Sequence, residues 1–283
     1  MSTWKPNARL LAAGVLTKKP IDYTRHLERI PTPWIEEDKA LTLELVVYKP
    51  IGNGPFPTLV FNHGSTGSGT KPEWFTHTWT SPPLARHFTN RGWMVLFPQR
   101  RGRGKSDGLY DEGFVADRSR YACESTRTLA GFERALEDLD VAMQHVRAHR
   151  DVDRERVLVG GLSRGGILSI VYAASRKEWF GGVLNFVGGW VDEGCSVREN
   201  INPVVFRRGA PFGKPTLWLY GDDDPFYSLA HSAENFKAFK DAGGIGTFIE
   251  FQPPGNESGH NIYARPALWT DSMNAYLDSL GWR

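Results

Sequence analysis

Cysteine is scarce in this 283-residue chain: Cys123 and Cys195 are the whole supply, with no Cys-x-x-Cys pair and no metal-ligand spacing. That excludes a disulfide-dense scaffold and a thiolate zinc site. Both cysteines fall in expected loops or element ends. One bridge between them is open to the chain, but two free thiols in a reducing compartment is the expectation. Long apolar runs are also missing, and no stretch approaches membrane-spanning length. The run Leu10–Leu16 after Lys5 and Arg9 sits at the short limit of a signal core and leads into Lys18 and Lys19 instead of a small-residue cleavage site. A soluble, cytoplasmic protein is therefore expected. Excess charge of one sign is absent too. A formal net charge of +2 gives no reason to expect nucleic acid or an acidic membrane surface as partner.

What is present is ordinary globular composition, 40% apolar and 23% charged, with no internal repeat or low-complexity tract. One domain over residues 1–283 is expected, opening with an arm at 1–22. Tyr23–Ile30 and Leu41–Tyr48 read as strands of a hairpin turning at Pro31-Thr32-Pro33. From residue 58 onward strands alternate with helices. The strands around Thr58–Phe61, Trp93–Phe97, Val183–Val187 and Thr216–Tyr220 are near-continuous apolar runs. Leu129, Phe132, Leu136, Leu139, Met143 and Val146 recur at helical spacing between Ser125 and His149. The pattern implies an α/β protein with a mostly parallel sheet of about eight strands, flanked by helices. Residues 188–213 read as an irregular insertion, a small cap.

Chemistry concentrates at Gly161-Leu162-Ser163-Arg164-Gly165, which fits Gly-x-Ser-x-Gly after the buried run Val157–Gly160 and before a helical pattern. A strand that turns sharply into a helix leaves its serine strained and exposed, and it tolerates only glycine two positions either side. A serine hydroxyl needs a base within hydrogen-bond reach, itself oriented by a carboxylate. Loops after later strands carry candidate acids at Asp222, Asp223 and Asp224 and a histidine at His260. Asp192 and Glu193, after the preceding strand, are alternatives. Among the eight histidines, only His63 and His260 fall in loops after core strands beside glycine.

These motifs resemble the α/β-hydrolase fold, closest in style to its dienelactone hydrolase and prolyl-oligopeptidase-like branches, over roughly residues 40 to 280. The matching parts are the elbow, the His63-Gly64 loop, the Arg101-Gly102 to Gly108 segment, the Gly221-to-Asp224 turn and Ser258-Gly259-His260. The resemblance implies Ser163 as nucleophile, Asp224 as orienting acid and His260 as general base. The oxyanion donors would be the backbone N–H groups of Ser65 and Arg164. His63 is expected to brace its loop, and the Arg164 side chain to point into solvent.

The implied activity is a serine hydrolase cleaving carboxylic esters of small to medium size through an acyl-enzyme. Trp74, Phe75, Trp79, Tyr110, Trp190, Phe226 and Tyr227 are expected at the mouth, to receive an apolar or aromatic group. A serine peptidase or amidase is the alternative within catalysis; a non-catalytic binding protein on the same scaffold is the alternative outside it. Gly104-Lys105-Ser106 ends like a phosphate-binding loop, but the first glycine of that motif would be residue 99, which is Gln99. The basic run from Arg100 to Lys105 is read as a solvated loop anchored to acidic neighbours. Asp222–Asp224 lacks the spacing of a calcium loop. No metal or organic cofactor is expected, and the expected partner is a small-molecule ester.

Overall fold

The computed structural model describes residues 21–282; residues 1–20 of the expected arm, with Leu10–Leu16, lie outside the described residues. Eight strands form one open sheet: β1 (Tyr23–Glu36), β2 (Lys39–Pro50), β3 (Phe56–Asn62), β4 (Met94–Pro98), β5 (Val152–Leu162), β6 (Gly182–Phe186), β7 (Thr216–Gly221) and β8 (Gly246–Phe251). Their spatial order is β1-β2-β4-β3-β5-β6-β7-β8. β2 runs antiparallel to β1 and β4, and every other neighbouring pair is parallel. β4, β6 and β7 are buried along their whole length, which is why they read as near-continuous apolar runs and not as alternation.

The helices are α1 (Pro82–Thr89), α2 (Ser125–Ala148), α3 (Arg164–Ser175), α4 (Arg198–Gly209), α5 (Leu229–Asp241) and α6 (Pro266–Ser279). α1 packs on α6, while α3 packs on α2 and on α4, which in turn packs on α5. The core runs continuously through the sheet, with Trp93, Trp218 and Trp269 fully buried in it. Among the described residues, no helix is long and apolar enough to cross a membrane.

Four expectations are corrected. The opening hairpin does not turn at Pro31-Thr32-Pro33. β1 continues through both prolines with a register shift between Pro31 and Ile35, and the turn is Glu37-Asp38, at φ 48° and 61°. β1 is an edge strand, where a missing N–H donor is tolerated. Residues 188–213 are not irregular throughout: α4 occupies much of the segment and packs between α3 and α5, leaving the 188–197 loop to approach the site.

The segment after β4 is not a solvated basic loop. Arg100, Arg101 and Arg103 are buried, with only Lys105 exposed. Arg100 is anchored on Glu112, Arg101 on Asp138 and Glu137, and Arg103 on the Trp74 carbonyl. The acidic anchoring holds, but burial makes it a structural network. Finally, Cys123 and Cys195 are joined as a disulfide, their Cα atoms 5.4 Å apart, and are not free thiols. The fold brings the 110–123 and 188–197 loops together beside α3, which pure sequence distance conceals.

Candidate active site

β5 ends at Leu162 and α3 begins at Arg164, so Ser163 alone makes the turn. Its backbone lies at φ 55°, ψ −122°, a region that costs a residue with a Cβ roughly 1–3 kcal/mol. The surrounding structure holds it there. Ser163 N–H donates to the Phe186 carbonyl at 2.9 Å, and the Ser163 carbonyl accepts from Gly166 N–H at 2.9 Å. A side chain at position 161 would run into the backbone of Gly165, and one at 165 into the carbonyls of Asn62 and His63. The two glycines are therefore required by close approach of strand, helix and β3.

Ser163 opens on a cavity of about 390 Å³ that His260, Trp190, Phe226 and Tyr227 also line. His260 stands in the short turn Gly259–Ala264 after β8, its backbone N–H donating to Ser258 Oγ at 3.2 Å. His260 Nδ1 lies 2.8 Å from Asp224 Oδ2. The Asp224 side chain is fully buried, and its other oxygen accepts from the N–H groups of Phe226 and Tyr227 at 2.8 and 3.2 Å. A carboxylate so fixed holds the imidazole with its proton on Nδ1 and Nε2 free to accept. Asp223, at φ 56°, makes the turn that delivers Asp224.

The other candidate acids are engaged elsewhere. Asp222 accepts from Gln252 and from Asp223 N–H, and Glu193 from Ser228 N–H. Asp192 accepts from Gly194 N–H and lines the cavity. Among the described residues no hydrogen bond joins His260 to Ser163, a contact that often tightens only when substrate is bound.

Gly64 passes so close to the elbow that a Cβ there would meet Ser163 Cβ at 3.0 Å. This places Ser65 beside Ser163, and both Ser65 and Arg164 line the cavity. Neither backbone N–H donates within the fold among the described residues. His63 braces the loop. Burial, with the Arg100 guanidinium second, holds its pKa well below the ordinary value. The neutral ring donates from Nδ1 to the Gly64 carbonyl at 2.8 Å and accepts at Nε2 from Arg100 N–H at 3.2 Å.

Of the aromatics expected at the mouth, Trp79, Trp190, Phe226 and Tyr227 line the cavity with Ser163, and Trp74, Phe75 and Tyr110 do not. Trp74 lies on Gly67 under the Lys71 ammonium, half in solvent. Tyr110 is buried in a small separate cluster with Phe75 and Phe114. The cavity also takes Tyr121, which was not among the expected aromatics. Nothing in the pattern around Tyr121 marks it, because its position depends on a long loop folding back.

Arg164 is the sharper correction. Its side chain is buried, not solvated; the guanidinium lies 3.6 Å from the Tyr121 ring centre and 4.3 Å from that of Trp190, and it donates to the Glu112 carbonyl at 2.8 Å. Stacking on two aromatic faces lets an arginine be buried where a lysine would not be.

A nucleophile elbow at the carboxyl edge of a sheet ordered in this way defines the α/β-hydrolase fold. Residues 72–251, well over half of the chain, match the dienelactone hydrolase family, and the chain belongs to it. It is accordingly a hydrolase acting on ester bonds.

No curated protein sequence matches it. Solved structures share the fold at low identity. The Pyrococcus furiosus esterase Pf2001 superposes with a TM-score of 0.60 at 16% identity, covering 92% of this chain and 90% of that one. Est1E from Butyrivibrio proteoclasticus, solved with ferulic acid bound, gives 0.62 at 14% identity, covering 89% and 98%. The Pyrococcus horikoshii acylaminoacyl peptidase gives 0.59 at 16% identity, covering 92% of this chain and 41% of that one.

Proposed function

We propose that the chain is a serine carboxylesterase with Ser163 as nucleophile, His260 as general base and Asp224 as orienting acid. The observation that carries this reading is the 2.8 Å His260–Asp224 contact in the same cavity as the strained Ser163. His260 Nε2 takes the hydroxyl proton as Ser163 Oγ attacks the ester carbonyl. The N–H groups of Ser65 and Arg164 receive the charge on the carbonyl oxygen, and His260 returns the proton to the leaving alcohol. Water, deprotonated by the same imidazole, then releases the acid from the acyl-enzyme.

Trp190, Phe226 and Tyr227 offer aromatic surface beside Ser163, which supports esters with an apolar or aromatic group. The volume of about 390 Å³ lies at the small end of ligand pockets, in keeping with a substrate of modest size. A fluorophosphonate probe should label wild type at Ser163 and leave Ser163→Ala unlabelled. Hydrolysis of p-nitrophenyl esters should exceed that of aminoacyl anilides. Ser163→Ala and His260→Ala should each lower kcat by about 10⁴-fold or more, and Asp224→Asn by about 10⁴-fold. Wild type that resists the probe, or equal labelling of Ser163→Ala, would sink the assignment.

A further inference from the structure

The two proposed oxyanion donors, one on the Ser65 loop and one at the head of α3, are both tied to one buried residue, Glu112, which is 3% exposed. On one side Arg100 Nε donates to Glu112 Oε1 at 2.5 Å. The same guanidinium grips the Ser65 loop, donating to the carbonyls of His63 at 3.0 Å and Gly64 at 3.2 Å. On the other side Arg164, the residue after the nucleophile, donates from Nη1 to the Glu112 carbonyl at 2.8 Å and approaches Oε2 at 3.5 Å. A parallel tie passes through Tyr121: its hydroxyl accepts from Thr66 N–H at 3.1 Å, and its ring lies on the Arg164 guanidinium. The segment carrying Glu112 and Tyr121 thus spans the oxyanion site from behind and touches both of its walls.

We infer that Glu112 is a positioning residue for ester hydrolysis, setting the separation of the Ser65 and Arg164 N–H groups through Arg100 and Arg164. The inference rests on the proposed roles of Ser163 and of those two donors. The physical argument is one of charge and tolerance. Arg100 and Arg164 are both buried cations that share this carboxylate, and removing it leaves them facing one another without it. The donors they hold stabilise charge only when aimed at the place where the oxyanion forms. Even a single added Cβ at Gly64 would meet Ser163 Cβ at 3.0 Å, so the loop has little room to move toward the serine. A displacement of about 1 Å costs on the order of 10²-fold in rate.

The test compares wild type with Glu112→Gln, which keeps shape and removes charge, on a p-nitrophenyl ester and its thionoester counterpart. Sulfur is a larger and weaker acceptor than oxygen, so the ratio of the two rates reads the geometry of the oxyanion site directly. Glu112→Gln should lower kcat for the ester by about 30- to 100-fold with KM within about threefold, and should shrink the ester-to-thionoester ratio by about tenfold. Glu112→Asp, which keeps the charge on a shorter arm, should lose less in the same direction. If Glu112→Gln fails to fold by circular dichroism, Arg100→Lys keeps the charge, loses the forked grip on His63 and Gly64, and should show the same fall in ratio. An unchanged ratio in the folded variant overturns the inference, whether kcat falls or not. Fluorophosphonate labelling of wild type separates the two failures: a labelled wild type with an unchanged ratio rejects Glu112 alone, and an unlabelled wild type rejects the hydrolase mechanism beneath it.

Discussion

His87 on α1 is packed edge-on against Trp269, with ring centres 4.5 Å apart, and its Nε2 is buried with no hydrogen-bond partner among the described residues. Burial, with the Arg91 guanidinium second, lowers its pKa to about 3. In the unfolded chain the same ring titrates near its ordinary value, about 6.5. Between those two values the unfolded state binds a proton that the native state refuses, so stability falls as pH falls through that window. The slope from this one group approaches about 1.4 kcal/mol per pH unit. His87→Phe removes both the titration and the unpaired nitrogen. Urea unfolding from pH 7 down to pH 4 should show a shallower acid loss for the variant, with stability at pH 7 equal or higher; parallel curves would reject the assignment. His63, buried and neutral behind the Gly64 loop, adds to the wild-type slope with the same sign. Neither effect was visible in the sequence, where His87 reads as one more helical histidine. The burial of Arg164 is hidden in the sequence for a related reason. A charged residue after an elbow looks solvent-facing until Tyr121 and Trp190 arrive from distant loops to cover it.

Elements were far more legible than side chains. β3, β4, β6 and β7 announce themselves as short, mostly apolar runs, and α2 by its three-to-four spacing, because both patterns record local geometry. The elbow is legible because steric crowding admits only glycine on either side of the serine. The opening hairpin was misplaced because proline is a strong turn signal that an edge strand can override. The observed Glu37-Asp38 turn places two residues with side chains at positive φ between Glu36 and Lys39, which pair across the ladder. A two-residue turn of this kind favours Asn-Gly. The double substitution Glu37→Asn, Asp38→Gly should therefore relieve strain and raise unfolding stability by about 0.5–1 kcal/mol, read as a higher urea midpoint at unchanged slope. A lower midpoint would reject the strain argument. α4 escaped the reading because Pro203 and a mixed polar sequence mask its period, while its position is set by packing on α3 and α5.

At the scale of the whole molecule, one end of the sheet gathers the elbow, the acid turn after β7, the histidine turn after β8, and two long loops that the sheet itself does not order. The Cys123–Cys195 pair joins those two loops across a sequence separation of 72 residues. Between them sits the stack of Tyr121, Arg164 and Trp190. Closing a loop of that length removes unfolded-state entropy worth about 4 kcal/mol in the chain-entropy treatment. The parallel sheet and its helices do not depend on the bridge for their contacts, so the reduced protein should fold and simply be less stable. Wild type unfolded in urea with a dithiol reductant should lose up to about 4 kcal/mol relative to the oxidised protein. Cys123→Ser, Cys195→Ser should match the reduced wild type and ignore the reductant. The loss should exceed anything seen on substituting exposed positions, which usually fall within about 0.5 kcal/mol. Should oxidised and reduced wild type unfold at the same midpoint, the two thiols remain unpaired in solution, and packing of Arg164 between its two rings must hold the loops together unaided.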